Sequence, residues 1–133
     1  MREMIFRAKR KDNGEWVEGY YLNIAKINHF ICTGKIKLDG AVKGIIAPEM
    51  HAIDPDTLCQ YTGLTDKNDK KIWENDIVEI ASEDGYFLCE WDDDTARYNL
   101  NGDGLTVDFD NYWSYEVEIV GNVFDNADLL GVE

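Results

Sequence analysis

Short apolar runs of period two, each ended by Gly, Asn, Asp or Pro before it can lengthen, constrain this chain more than any other feature. Alternation by two places successive side chains on opposite faces of an extended strand, so such runs half-bury as sheet. Residues 3–10 set Met4, Phe6 and Ala8 on one side and Ile5, Arg7 and Lys9 on the other. Asp12-Asn13-Gly14 supplies turn chemistry, and Glu15 to Leu22 resumes the β pattern with Trp16, Val17, Tyr20 and Tyr21, giving an N-terminal β-hairpin. Asn28 to Thr33 is a further short strand. Lys35 to Lys43 is a loop or a distorted hairpin, and Gly44 to Ala47 is an apolar run stopped by Pro48.

The stretch Ile53 to Val78 has two apolar segments, Leu58 to Tyr61 and Ile72 to Val78, around the polar loop Thr65 to Lys71. Asn and Asp tolerate turn geometry and bond back to their own backbone, so the loop reads as a tight reversal. Gly63 stands where the backbone needs a conformation closed to other residues. Asp56-Thr57 caps at most one short helical turn. Asp76 to Ala81, Tyr86 to Trp91, Arg97 to Leu100, Leu105 to Phe109 and a long run from Tyr112 to Phe124 then read as strands, with Asn101-Gly102-Asp103-Gly104 as a hairpin signal. The tail holds one helical turn around Leu129 and Leu130. Roughly eight or more closely spaced strands without long helices predict an all-β fold, a small antiparallel and partly open barrel preceded by the hairpin. At 133 residues the chain is expected to form one domain, residues 1–133, since domains commonly run to roughly 100–150 residues.

Charge narrows the function. The chain carries 13 Lys and Arg against 27 Asp and Glu, a net of −14. Residues 1–50 hold nine basic against six acidic residues, net +3, and residues 51–133 hold four against 21, net −17. Such a second half repels phosphate backbones, so direct nucleic-acid binding through it is disfavoured, while a basic protein partner suits it. The plain alternative is that the excess acid only keeps the protein soluble. No apolar run approaches the roughly 20 residues that cross a bilayer, and no secretory h-region follows the start, so no membrane contact and a cytoplasmic setting are expected. Cys32, Cys59 and Cys89 lack C-x-x-C spacing and read as reduced thiols.

No catalytic constellation emerges. His29 and His51 stand near no nucleophile motif and share no ligand spacing with the cysteines, and no phosphate-cradling glycine loop occurs. Asp92-Asp93-Asp94 and the run Asp103 to Asp110 offer the hard oxygen ligands of Ca²⁺ or Mg²⁺, but without the D-x-[DN]-x-[DN]-G spacing they read as solvated turns. No catalytic, cofactor or metal residue is therefore assigned. Core packing accounts for most of the aromatics, and Trp113 with Tyr112 and Tyr115 is the group expected at the surface.

Three blocks, residues 1–21, residues 53–78 and the ending Ile119 to Leu130, resemble the YopX-like family of phage and prophage proteins. The central block is the most specific, with Gln60-Tyr61-Thr62-Gly63-Leu64, Asp66-Lys67, Ile72, Glu74 and Asp76-Ile77-Val78; Gly121-Asn122 and Leu129-Leu130 fit as well. Residues 23–50 and 92–114 fall outside the resemblance. The family pattern often has Asn-Gly in the central loop and Gly before Asp-Ile-Val, where this chain has Asp69 and Asn75, residues that still tolerate such turns. The resemblance implies a small β-rich protein of a phage or prophage, in the bacterial cytoplasm, with no established activity and no catalytic residues to carry over.

The leading expectation is a non-enzymatic accessory protein that docks a basic protein through Asp92, Asp93, Asp94, Asp108, Asp110, Tyr112 and Trp113. A second expectation is a homo-oligomer in which Arg7, Lys9 and Arg10 of the basic hairpin meet the acidic surface of another copy. Arg7, Lys9, Arg10 and Lys11 have a simpler and favoured reading, as guards on an edge strand. A small metal-dependent enzyme is the third and weakest reading.

Overall fold

In the computed structural model, the described residues are 4–33, 36–39, 42–45, 49–81, 83–102, 105–108 and 116–131, with the backbone alone described at 36–39, 42–45, 105 and 108. The chain divides into two compact units, Glu3–Gln60 and Tyr61–Glu133.

The N-terminal unit contains β1 (Phe6–Lys9), β2 (Trp16–Ile24), β3 (Asn28–Thr33), β4 (Ile36–Asp39), β5 (Val42–Ile45), β6 (Glu49–Ala52) and a single 3₁₀ turn at Pro55–Thr57. Its sheet runs β6-β3-β2-β1, and the first residues of β7 (Cys59–Thr65) add to β1 through Phe6↔Gln60 and Arg7↔Cys59. The turn expected at Asp12-Asn13-Gly14 closes the β1–β2 hairpin, with Gly14 at φ 72 and Asn13 Oδ1 accepting the Glu15 N–H at 2.9 Å. Residues expected as a loop or distorted hairpin form a separate two-stranded ribbon, β4 with β5. A bridge between Arg10 and Ile53 ties the residues after β6 back to the end of β1. The core gathers Ala8, Ile31 and Ile53, all fully buried, with Phe6, Val17, Tyr21 and Leu58 against them. Met4, which the alternation sets on the same side as Phe6 and Ala8, is exposed.

One expectation is corrected here. β1 is not an edge strand, because β2 covers one side of it and β7 the other. Its cations therefore do not guard an edge.

The C-terminal unit continues β7 into a hairpin with β8 (Lys71–Trp73), followed by β9 (Asp76–Ile80), β10 (Phe87–Asp92), β11 (Arg97–Gly102), β12 (Leu105–Asp108), β13 (Val117–Asn122) and a 3₁₀ turn at Ala127–Leu130. The five-stranded sheet has the order β12-β11-β10-β9-β13. Its buried face gathers Val78, Ile80, Phe87, Cys89, Tyr98, Leu100 and Val117 into one cluster with Ile72 of β8. The run Ile72 to Val78 is two strands rather than one, because Asn75 takes φ 71 and its N–H leaves for the Cys89 carbonyl at 2.8 Å. Asp76 completes that corner, its carboxylate accepting the Trp73 N–H at 2.8 Å while almost fully buried. Asp69 has φ 65, so both residues that replace the family's turn glycines adopt the left-handed conformation expected of them. The all-β expectation holds, and it takes the form of antiparallel sheets that do not close into a barrel.

Candidate functional site

β10 and β11 pair in unbroken register from Leu88↔Asn101 to Asp92↔Arg97, and the acidic triplet begins at the last rung. Asp92 organises the reversal. Its Oδ1 accepts the Asp94 N–H at 2.9 Å, a side-chain mimic of a backbone turn, while its Oδ2 accepts Nδ2 of Asn99 at 2.9 Å. These donors, the Asp94 N–H foremost and the Thr95 hydroxyl next, hold the Asp92 carboxyl below the usual carboxylate range.

Trp91 stands opposite Tyr98 in the same ladder, their rings edge to face at 5.0 Å between centroids. Tyr98 closes the end of the core, whereas Trp91, one rung from the strand end, is 42% exposed. Its indole Nε1 donates to Asp93 Oδ1 at 2.7 Å. On the neighbouring rungs Asn101 Nδ2 donates to Glu90 Oε1 at 3.3 Å. Glu90, Trp91, Asp92, Asp93 and Asp94, with Asn99, Asn101 and Thr106, line a concavity of about 450 Å³; among the described residues its wall holds four carboxylates and no Lys or Arg.

Asp92, Asp93 and Asp94 are thus brought together as the sequence suggests. Asp108 is the register partner of Asn99 on β12, which places its backbone beside the concavity. Asp110, Tyr112 and Trp113 lie outside the described residues. Sequence reasoning missed Glu90, Trp91, Asn99, Asn101 and Thr106. A signal existed for Trp91, which directly precedes the acidic triplet at the end of a strand.

A second acidic concavity, about 440 Å³, lies among Glu79, Glu83, Asp84, Glu116 and Glu118, with Lys67 bonded to Glu118 at 3.4 Å. Among the described residues no group of three or more His, Cys, Asp or Glu is placed to hold a metal ion. His29 meets the Tyr21 hydroxyl at 2.6 Å, His51 lies 3.3 Å from the Thr33 hydroxyl, and the Cys59 thiol donates to the Thr57 carbonyl.

The three basic residues separate into two environments. The Arg7 guanidinium lies 4.5 Å from the Trp16 ring centroid and the Lys9 ammonium 5.5 Å from it, a cation–π arrangement across the β1–β2 pair. Arg10 instead forks onto Asp12, with bonds of 3.0 and 2.6 Å that raise its own pKa and lower that of Asp12. On the same face of β2 as Trp16, Tyr20, Leu22 and Ile24 are exposed, and Met50 of β6 is exposed beyond Cys32, the partner of Tyr20.

A family model described as YopX protein matches residues 5–131 of the chain. Comparison with curated proteins gives no match.

Proposed function

The chain belongs to the YopX family, and from that premise we propose that it is a non-enzymatic phage or prophage accessory protein of the bacterial cytoplasm that docks a basic protein through its acidic half. The observation that carries this reading is the half-exposed Trp91 set among Glu90, Asp92, Asp93 and Asp94, with no Lys or Arg among the described lining residues. An aromatic anchor inside a charged rim suits a protein interface, where Trp is enriched and complementary charge guides encounter. Affinity capture from bacterial lysate at low and high salt tests it. A basic partner that binds wild type, leaves at high salt and ignores the Asp92→Asn, Asp93→Asn, Asp94→Asn variant is expected. Recovery of no salt-sensitive partner would remove the reading.

Self-association is a second reading, favoured by the exposed Tyr20, Leu22, Ile24 and Met50 beside the Arg7 and Lys9 stack. A second copy supplies the acidic surface that those cations complement. Light scattering on wild type and on Arg7→Glu, Lys9→Glu decides it, since an unchanged mass excludes this interface.

A further inference from the structure

We infer that the outer face of the N-terminal sheet is covered by the same face of a second copy, which rests on the self-association reading and names its surface. Two rungs of the sheet are apolar on the side away from the core. Tyr20, Cys32 and Met50 stand side by side across β2, β3 and β6, and Leu22, Phe30 and Ala52 form the next rung on that side. β2 and β3 send Val17, Tyr21 and Ile31 to the opposite face, into the core with Ala8 and Ile53. An antiparallel sheet with one face to water alternates apolar inward and polar outward. Here the outward positions of three neighbouring strands are apolar at once, and a sheet apolar on both faces needs a layer on both.

The bare area is large enough for a stable pair. Tyr20 is 64% exposed, Ile27 in the β2–β3 turn 76%, and Leu22, Ile24 and Met50 between 41% and 45%. Tyr20 alone leaves roughly 100–150 Å² open, since such a ring buries roughly 150–250 Å² when covered. With its neighbours the face reaches the several hundred Å² at which an exposed apolar patch marks an interaction site. Doubled in a face-to-face pair, it comes to the roughly 1,000 Å² of a specific interface.

Charge selects the second copy. Neither rung carries a charged side chain, so the face meets itself without like-charge repulsion. The flank on the same side sets Arg7 opposite Glu18 and Lys9 opposite Trp16, a rim with both signs that an isologous contact can match to its own copy. The excess acid lies elsewhere in the chain, net −17 over residues 51–133 against +3 over residues 1–50. A basic protein, which suits the acidic half, finds no carboxylate on these rungs and meets Arg7 and Lys9 beside them. Two such faces stack as sheet on sheet, about 10 Å apart, with their side chains interdigitated.

The test is sedimentation equilibrium on the full chain at low salt and at about 1 M salt. The mass of two chains is expected at both, because salt does not screen apolar contact. Leu22→Lys and Met50→Lys each put a charge where the face meets its copy, and each should weaken the dimer about tenfold or more. If lysine disturbs the fold, Leu22→Thr keeps a residue suited to a strand and should still weaken the pair. Asn23→Lys, exposed on the other side of β2, should leave the mass unchanged. Cys32, in the middle of the first rung, should alkylate faster in Leu22→Lys than in wild type, while Cys59 and Cys89 stay buried in both. A dimer that survives the Leu22 and Met50 changes would overturn this face, and its loss on Arg7→Glu, Lys9→Glu would leave self-association standing. A monomer at every concentration would overturn both. A monomer whose wild-type face captures a foreign protein, lost in Leu22→Lys, would overturn the second copy as the occupant.

Discussion

Asp66 accepts the backbone N–H of Ile119 on its Oδ2 at 3.1 Å, joining positions 53 residues apart in the chain. The same carboxylate takes the Asn68 and Lys70 N–H groups on Oδ1 at 2.9 and 3.0 Å, and the adjacent Lys67 N–H reaches the Val117 carbonyl at 2.9 Å. One buried side chain therefore builds the β7–β8 loop and fastens it to the edge of β13. The most specific block of the family resemblance owes this residue to architecture.

Asp66→Ala strips an acceptor from three N–H groups at once. With a buried unmet donor costing about 1–3 kcal/mol and some of these reaching water, the loss should be about 3 kcal/mol. Calorimetry should show the melting point falling by roughly 10 °C, and Ile119 amide exchange should accelerate. A shift under about 2 °C would mean that the loop holds without its carboxylate.

Gly19 sits in β2 against the backbone of β3. A Cβ there would run into the carbonyl oxygen of Cys32, a backbone atom that cannot step aside cheaply. Gly19→Ala is expected to destabilise by about 2 kcal/mol or more, although alanine normally suits a strand better than glycine does. Urea unfolding checks the sign, and a more stable variant would show that the two strands can separate without cost.

Asp92 provides a pH prediction. Its folded pKa is lowered, by the Asp94 N–H first and with Asn99 among the smaller contributions. A depressed carboxyl adds stability that is fully present above its ordinary value of about 3.9 and is lost as pH falls through the lowered value. Carbon-detected titration should place Asp92 below that ordinary value, and Asn99→Ala should move it upward but only part of the way. An unmoved midpoint in the variant would mean that the Asn99 bond is not made in solution.

Much of the local structure was legible from residue chemistry. Asn28 to Thr33 is a strand over the same residues that read as one in the sequence. Asn75 and Asp69 bear positive φ because short polar side chains tolerate it, so Asn75→Gly should be neutral, and Asn75→Val should cost about 1–2 kcal/mol in chemical unfolding. Strand order was not legible, since pairings such as Phe6↔Gln60 join distant segments whose patterns look alike. That is why Arg7 and Lys9 look like edge guards in the sequence, whereas in the fold they stack on Trp16. The site was half legible. Charge pointed to Asp92, Asp93 and Asp94, but the polar wall from Asn99 and Asn101 depends on register with Glu90 and Leu88, which composition does not encode.

Zero-length carbodiimide cross-linking tests the central claim most directly, because it joins a carboxylate to a lysine only where the two already touch. The protein should be exposed to bacterial lysate at low salt, cross-linked and mapped by mass spectrometry. Links from Glu90, Asp92, Asp93 or Asp94 to lysines of a basic protein, lost at high salt and in Trp91→Ala, are the predicted result. Links confined to other carboxylates, or none that respond to salt, would contradict the assignment of the acidic Trp91 face as the docking surface.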